Sequence, residues 1–88
     1  MNQRTVLIQN RRGLHARASA KFVTLASSQT AQVEVEKDGA KVAGTSIMGL
    51  MMLGAAKGDT VTISASGEGA AAALDALCGL VEAKFGEE

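Results

Sequence analysis

Along this chain the apolar residues keep changing their spacing, from every second position to every third or fourth and back again. That alternation constrains the fold more than any other feature, because period two belongs to strands and period 3.6 to helices. Thr5 to Gln9, centred on Val6, Leu7 and Ile8, reads as a strand. Leu14, Ala18, Phe22 and Leu25 then fall at helical spacing, so a helix is expected from about Ala16 to Ser28. Gln32 to Glu36 alternates strictly, which turns Val33 and Val35 inward. Asp38-Gly39 is a two-residue hairpin signal, since both turn positions need positive φ, and Ala40 to Ala43 forms the return strand. Ser46 is placed to cap a short helix, Ile47 to Leu53, that Gly54 ends. Asp59 to Ala65 alternates again, with Val61, Ile63 and Ala65 on one face and Thr60, Thr62 and Ser64 on the other. After Gly67-Glu68-Gly69 the longest helix runs from Ala70 to about Lys84. It buries Leu74, Leu77, Cys78, Val81 and Phe85 and turns Glu82 and Lys84 to solvent. The order β-α-β-β-α-β-α, with alternating strands, calls for an antiparallel sheet with one wet face and helices on the other. That is an open-faced two-layer sandwich of the α+β class.

At 88 residues the chain is expected to form one domain, 1–88, burying roughly 60–65% of its unfolded surface. Its 9 basic and 9 acidic residues cancel, which argues against a nucleic-acid binder held by overall charge. Phe22 and Phe85 are the only aromatic residues, so single-stranded nucleic acid finds no stacking platform. One cysteine cannot build an intrachain disulfide framework and fits a reducing, cytoplasmic location. No apolar run suits a signal peptide or a membrane span, and neither is expected. Nothing calls for a stable oligomer, so a monomer is expected. A domain this small suits an exposed site better than an enclosed one.

Gly13-Leu14-His15-Ala16-Arg17 is the first segment that could carry chemistry. His15 is the only histidine and sits where loop becomes helix. Backbone amides at a helix start have no intrahelical partner and favour an anion. Arg17 adds a forked cation suited to phosphate, and Arg11 and Arg12 add local positive potential. A neutral imidazole beside such a nest suits a phosphoryl acceptor. The plainer alternative is a surface histidine next to a helix cap.

The second segment is Thr45 to Leu53, with too many large apolar residues for one buried face of two turns. Some must be exposed, and a Met-rich exposed patch suits protein recognition. The alternative makes Ile47, Leu50 and Met51 core and leaves the rest covering a sheet edge. Ser46 is a cap that could accept a phosphate, whose charge the helix dipole tolerates. Three other matches fail. Gly67 to Ala72 fits a dinucleotide-binding pattern, but no strand follows its helix. Gly44 to Gly49 has phosphate-loop spacing but lacks the Lys-Ser/Thr that must follow. One histidine and one cysteine make no zinc site, and Cys78 lies on an apolar stripe, so no metal or cofactor is expected.

With these residues in place, the chain resembles the HPr family, the histidine-containing phosphocarriers of the bacterial phosphoenolpyruvate-dependent phosphotransferase system. Gly13-Leu14-His15-Ala16-Arg17 is similar to the family's phosphorylation motif, and Ser46-Ile47-Met48-Gly49-Leu50-Met51 to its regulatory-serine segment. The resemblance covers essentially the whole chain. It implies a four-stranded sheet of order 1-4-2-3 with helices on one side. It implies a carrier, not an enzyme, in which Nδ1 of His15 takes a phosphoryl group from enzyme I and gives it to an enzyme IIA domain. Arg17 and the amides of Ala16, Arg17 and Ala18 would hold the phosphate. Leu14, Ile47, Met48, Leu50 and Met51 would dock partners. Ser46 would be the target of an HPr kinase/phosphorylase where the organism has one.

Two positions depart from the family pattern. Ala18 stands where proline is common, trading a preset φ for an extra amide, with a modest change in phosphohistidine lability expected. Thr45 stands where a basic residue is common, which weakens the case for a kinase at Ser46. The competing reading is a regulatory interaction module that uses Ser46 and the Ile47–Leu53 patch without phosphotransfer. The presence of His15 and Arg17 favours the carrier.

Overall fold

The structure, a computed structural model, describes residues 2–87. Four strands, β1 (Asn2–Leu7), β2 (Gln32–Lys37), β3 (Ala40–Ala43) and β4 (Thr60–Ser66), form one antiparallel sheet in the order β1-β4-β2-β3. Three helices, α1 (Ala16–Ser27), α2 (Ile47–Met52) and α3 (Ala70–Glu82), are followed by a single 3-10 turn, Lys84–Gly86. The expected α+β sandwich and its strand order are what the chain adopts. The hairpin between β2 and β3 turns on Asp38 and Gly39 at φ 51° and 85°, both in the left-handed region the sequence signal requires.

One face of the sheet carries the core. Val6 pairs with Val61, Val35 with Ile63, and Val33 with Ala65, and all six are buried under the helices. Phe22 of α1, Leu74, Leu77, Cys78 and Val81 of α3, and Phe85 beyond it complete the interior. Arg4 lies on the same face at the β1 edge and reaches across to Asp75 of α3, 2.8 Å away. On the other face Thr5 and Thr62 share a hydrogen bond of 3.0 Å in solvent reach. Ser64, expected on this wet face, is buried instead. It sits mid-strand in the central β4 with Gln3 on one side and Glu34 on the other, and a small side chain there is covered by its neighbours.

Besides shifts of one residue elsewhere, boundaries differ from expectation at β1, which also ends at Leu7 rather than Gln9, and at α3. β1 starts at Asn2, ahead of the apolar run, because pairing with β4 supplies backbone partners that polar residues accept as readily as apolar ones. α3 stops at Glu82 rather than near Lys84. Lys84 and Phe85 take φ of 59° and 55°, so the chain turns out of the helix axis there. Phe85 is still buried, as its place on the α3 stripe suggested, but it arrives by a kink. Lys84, expected to face solvent, is half-buried. No helix among the described residues is long and apolar enough to cross a membrane.

Candidate functional site

The loop from Asn10 to Leu14 is held at both ends. Ile8 exchanges backbone bonds with Gly58 and Asp59, and the Leu14 amide donates to the Ala55 carbonyl at 3.0 Å. Buried Asn10 donates its side-chain amide to the Gly13 carbonyl at 2.8 Å. Gly13, at φ +63°, packs so close to Ala55 and Ala56 that a Cβ there would strike backbone. The turn delivers His15 as the N-cap of α1, and its ring takes the place a serine or aspartate would hold. Nδ1 accepts the Arg17 amide at 3.3 Å. An amide can only donate, so Nδ1 bears a lone pair and the neutral ring keeps its proton on Nε2.

Nε2 is within 2.8 Å of Oε2 of Glu87, so the proton is donated to that carboxylate. The other carboxylate oxygen, Oε1, accepts the Asn10 amide at 3.2 Å. His15 and Glu87 side chains are 21% and 20% exposed, which leaves the ring reachable but oriented. The hydrogen bond from His15, reinforced by the one from Asn10, holds the Glu87 carboxyl below its ordinary value. Sequence reasoning missed Glu87 because a helix continued through Lys84 carries it elsewhere. The only available signal was Gly86 next to Phe85, a break beside an anchored aromatic. Among the described residues, Arg11, Arg12 and Arg17 form no salt bridge, and Glu87 is the carboxylate that stands at the helix start with them.

At α2, Oγ of Ser46 accepts the Gly49 amide at 3.0 Å, the same capping arrangement in a helix of six residues. Its surface is apolar: Ile47, Met48, Met51 and Met52 are exposed, Met48 at 69% and Met52 at 80%. Cys78 is buried, and burial pushes its thiol up, away from nucleophile chemistry.

The family model described as "PTS HPr component phosphorylation site" matches residues 2–83. The chain belongs to the HPr family. It is 47% identical over 87 residues to phosphocarrier protein HPr of Cupriavidus necator, covering 99% of this chain and 98% of that one. It is 45% identical over 85 residues to phosphocarrier protein NPr of Shewanella violacea, covering 97% and 93% respectively. The solved HPr-C-His structure from Thermoanaerobacter tengcongensis superposes with a TM-score of 0.96 at 49% identity, covering 100% of this chain and 99% of that one. The chain is thus a member of the phosphocarrier proteins of the phosphotransferase system, a carrier family rather than an enzyme family.

Within this HPr-family fold, two expected docking residues are corrected. Leu14 is 6% exposed and Leu50 is fully buried, so neither offers a face to a partner. Leu14 closes the core beneath the His15 loop. Leu50 points inward because α2 packs one side on α1 and β3. Met52, absent from the expected docking set, is the most exposed large apolar residue among the described residues. Ala18 is also fully buried, so its amide, expected among the phosphate donors, is covered. Arg17 is exposed and lends its amide, not its guanidinium, to the ring.

Proposed function

We propose that this chain accepts a phosphoryl group from phospho-enzyme I on Nδ1 of His15 and passes it to enzyme IIA domains. It does so as a monomer in the cytoplasm, in sugar uptake or a regulatory relay. The observation that carries this reading is the histidine cap: Nδ1 presents a lone pair at the mouth of a 12-residue helix, near arginines that form no salt bridge among the described residues. Once Nδ1 is bonded to phosphorus it no longer accepts the Arg17 amide. That amide is then free for a phosphate oxygen, together with the Ala16 amide and the Arg17 guanidinium. The Ala18 amide is covered and joins them only if the start of the helix opens. A carrier must also surrender its phosphate, and a shallow nest holds it less firmly than a deep pocket. The buried free thiol of Cys78 fits a reducing compartment.

Ile47, Met48, Met51 and Met52 form the docking face in this reading. Ser46, at the edge of that face, is the regulatory phosphorylation site, served by an HPr kinase/phosphorylase. A phosphate there places charge beside a surface that must be desolvated on docking, so it weakens binding without a change of shape. The experiment is intact mass after incubation with phosphoenolpyruvate and its cognate enzyme I, next to a His15→Ala control. A gain of one phosphoryl group, labile in acid, stable in base and absent from the control, supports the carrier. No gain, with a reference carrier working in the same assay, overturns it in favour of an interaction module built on Ser46 and its apolar neighbours.

A further inference from the structure

We propose that Glu87 is a positioning residue for phosphoryl transfer, its carboxylate holding the Nε2–H of His15 so that the Nδ1 lone pair faces the incoming phosphorus. The inference rests on His15 as phosphoryl acceptor. The two ring nitrogens are fixed by different elements: Nδ1 by the Arg17 amide at 3.3 Å, Nε2 by Glu87 at 2.8 Å. Neither contact alone sets both the tautomer and the tilt of the ring. Together they leave one arrangement.

Glu87 is itself held in place. Phe85 is buried, and its carbonyl accepts Lys21 Nζ of α1 at 2.7 Å, which ties the segment beyond α3 to the helix that His15 caps. The left-handed φ values at Lys84 and Phe85 turn the chain back over the start of α1. Such values are uncommon away from glycine and persist where surrounding contacts enforce them. The site also needs a carboxylate rather than an amide. Asn10 Nδ2 and His15 Nε2–H both donate toward residue 87, and a carboxylate offers an acceptor oxygen to each. A glutamine offers one acceptor. With its oxygen on Asn10 its NH2 group faces Nε2, which favours the tautomer with the proton on Nδ1, the wrong one for attack.

In the transfer step the Nδ1 lone pair forms the N–P bond while the bond from phosphorus to the donor breaks and its electron pair leaves with the donor. The ring becomes a cation that keeps the Nε2 proton, and the Glu87 carboxylate stands against that charge. In the onward step the acceptor's lone pair attacks phosphorus, and the P–Nδ1 electrons return to the ring as a lone pair. The Nε2 proton stays in place throughout, so Glu87 orients and neutralises without taking a proton.

The test uses the full chain with ¹⁵N-labelled histidine, in wild type, Glu87→Gln and Glu87→Ala, with amide spectra to verify that each is folded. Ring ¹⁵N shifts of the unphosphorylated protein report the tautomer. Stopped-flow transfer from phospho-enzyme I reports the rate. Wild type is expected to show the proton on Nε2. Glu87→Gln should shift the population toward Nδ1–H, Glu87→Ala should shift it less, and both should slow transfer by about fivefold, the size of effect supported by a partly exposed charge pair that forms as the ring becomes a cation. A wild-type ring without the proton on Nε2 overturns the proposal, as do variants whose tautomer is unchanged or whose rate is unchanged. A wild-type chain that takes no phosphoryl group overturns the carrier reading itself, and the ring shifts still say whether Glu87 sets the tautomer.

Discussion

The two helix starts, at α1 and at α2, are capped in the same way and surrounded differently. At each, a side chain outside the helix accepts a backbone amide of the first turn: His15 from Arg17, Ser46 from Gly49. Around His15 the neighbours are polar or cationic, with Glu87, Asn10 and three arginines at hand. Around Ser46 they are exposed isoleucine and methionines. In the proposed carrier, a phosphate at the first is met by donors and can be handed on. On the same proposal, a phosphate at the second lies beside an apolar docking face and weakens its use. In that reading the two caps are alike and their neighbours make one phosphate cargo and the other a switch.

The sharpest way to break this comparison is to remove each cap in turn. His15→Ala should abolish phosphoryl acceptance from enzyme I, and Ser46→Ala should leave it intact. Intact mass separates the two outcomes. Loss of acceptance in Ser46→Ala, with its fold preserved, would mean that the second cap also serves as part of the carrier site.

The glycines behind the two caps should differ next most. A Cβ on Gly13 meets the Ala55 carbonyl and lies 2.8 Å from Ala56 Cα, at φ +63°. Gly13→Ala should therefore cost about 2–4 kcal/mol, from left-handed strain plus displaced backbone. For a domain of this size that lowers Tm by roughly 10–25 °C. A Cβ on Gly49 lies 3.1 Å from both Ser46 Oγ and Val42 Cβ, in ordinary helical geometry. The gain of about 1 kcal/mol in helix propensity offsets that crowding, so Gly49→Ala should stay within about 1 kcal/mol of wild type. Thermal melts of both variants test the pair, and equal losses would mean that the α1 loop is no more tightly built than α2.

The same contrast governs what could be read before the fold was known. The sheet was legible because alternation in β2 and β4, and Asp38-Gly39 between β2 and β3, each allow one arrangement. His15 was legible at the junction of loop and helix, but not as the cap itself, because histidine is not among the residues that usually cap helices. At α2 the sorting of Leu50 inward and Met52 outward was not legible. Six residues are fewer than two turns, and nearly all are apolar, so periodicity has nothing to resolve. Glu87 was hidden for a different reason. Its position depends on left-handed backbone at Lys84 and Phe85, residue types that carry no local preference for it. Tertiary contacts, the burial of Phe85 and the bond from Lys21, override the helix the pattern suggests.

A smaller effect is expected from charge at the second cap. Ser46→Asp keeps an acceptor for the Gly49 amide and adds negative charge where the helix dipole favours it, so stability should change by less than about 1 kcal/mol. Enzyme I docking should weaken by about three- to tenfold, because the new charge must be desolvated beside Ile47 and Met48. Calorimetric titration measures this, and unchanged affinity would remove the apolar face of α2 from the docking surface.

The least change, and the one that separates the two caps by pH, comes from Glu87. Its carboxyl is held below the ordinary value, first by the hydrogen bond from His15, then by Asn10, with Lys21 adding attraction. A carboxyl depressed in the folded state favours folding fully above its unfolded value, and that contribution fades as pH falls through the lower, folded value. Acidification should therefore loosen the α1 start while the α2 start, capped by a hydroxyl, stays as it is. In an NMR titration the Glu87 carboxyl carbon should shift with a midpoint below that of ordinary glutamates. The Asn10 side-chain amide, bonded to the same carboxylate, should move with it. The Gly49 amide, bonded to Ser46 Oγ, should not follow that midpoint. An Asn10 amide indifferent to the Glu87 titration would mean that the carboxylate does not rest on the loop in solution. The polar surroundings that distinguish the first cap from the second would then reduce to the arginines alone.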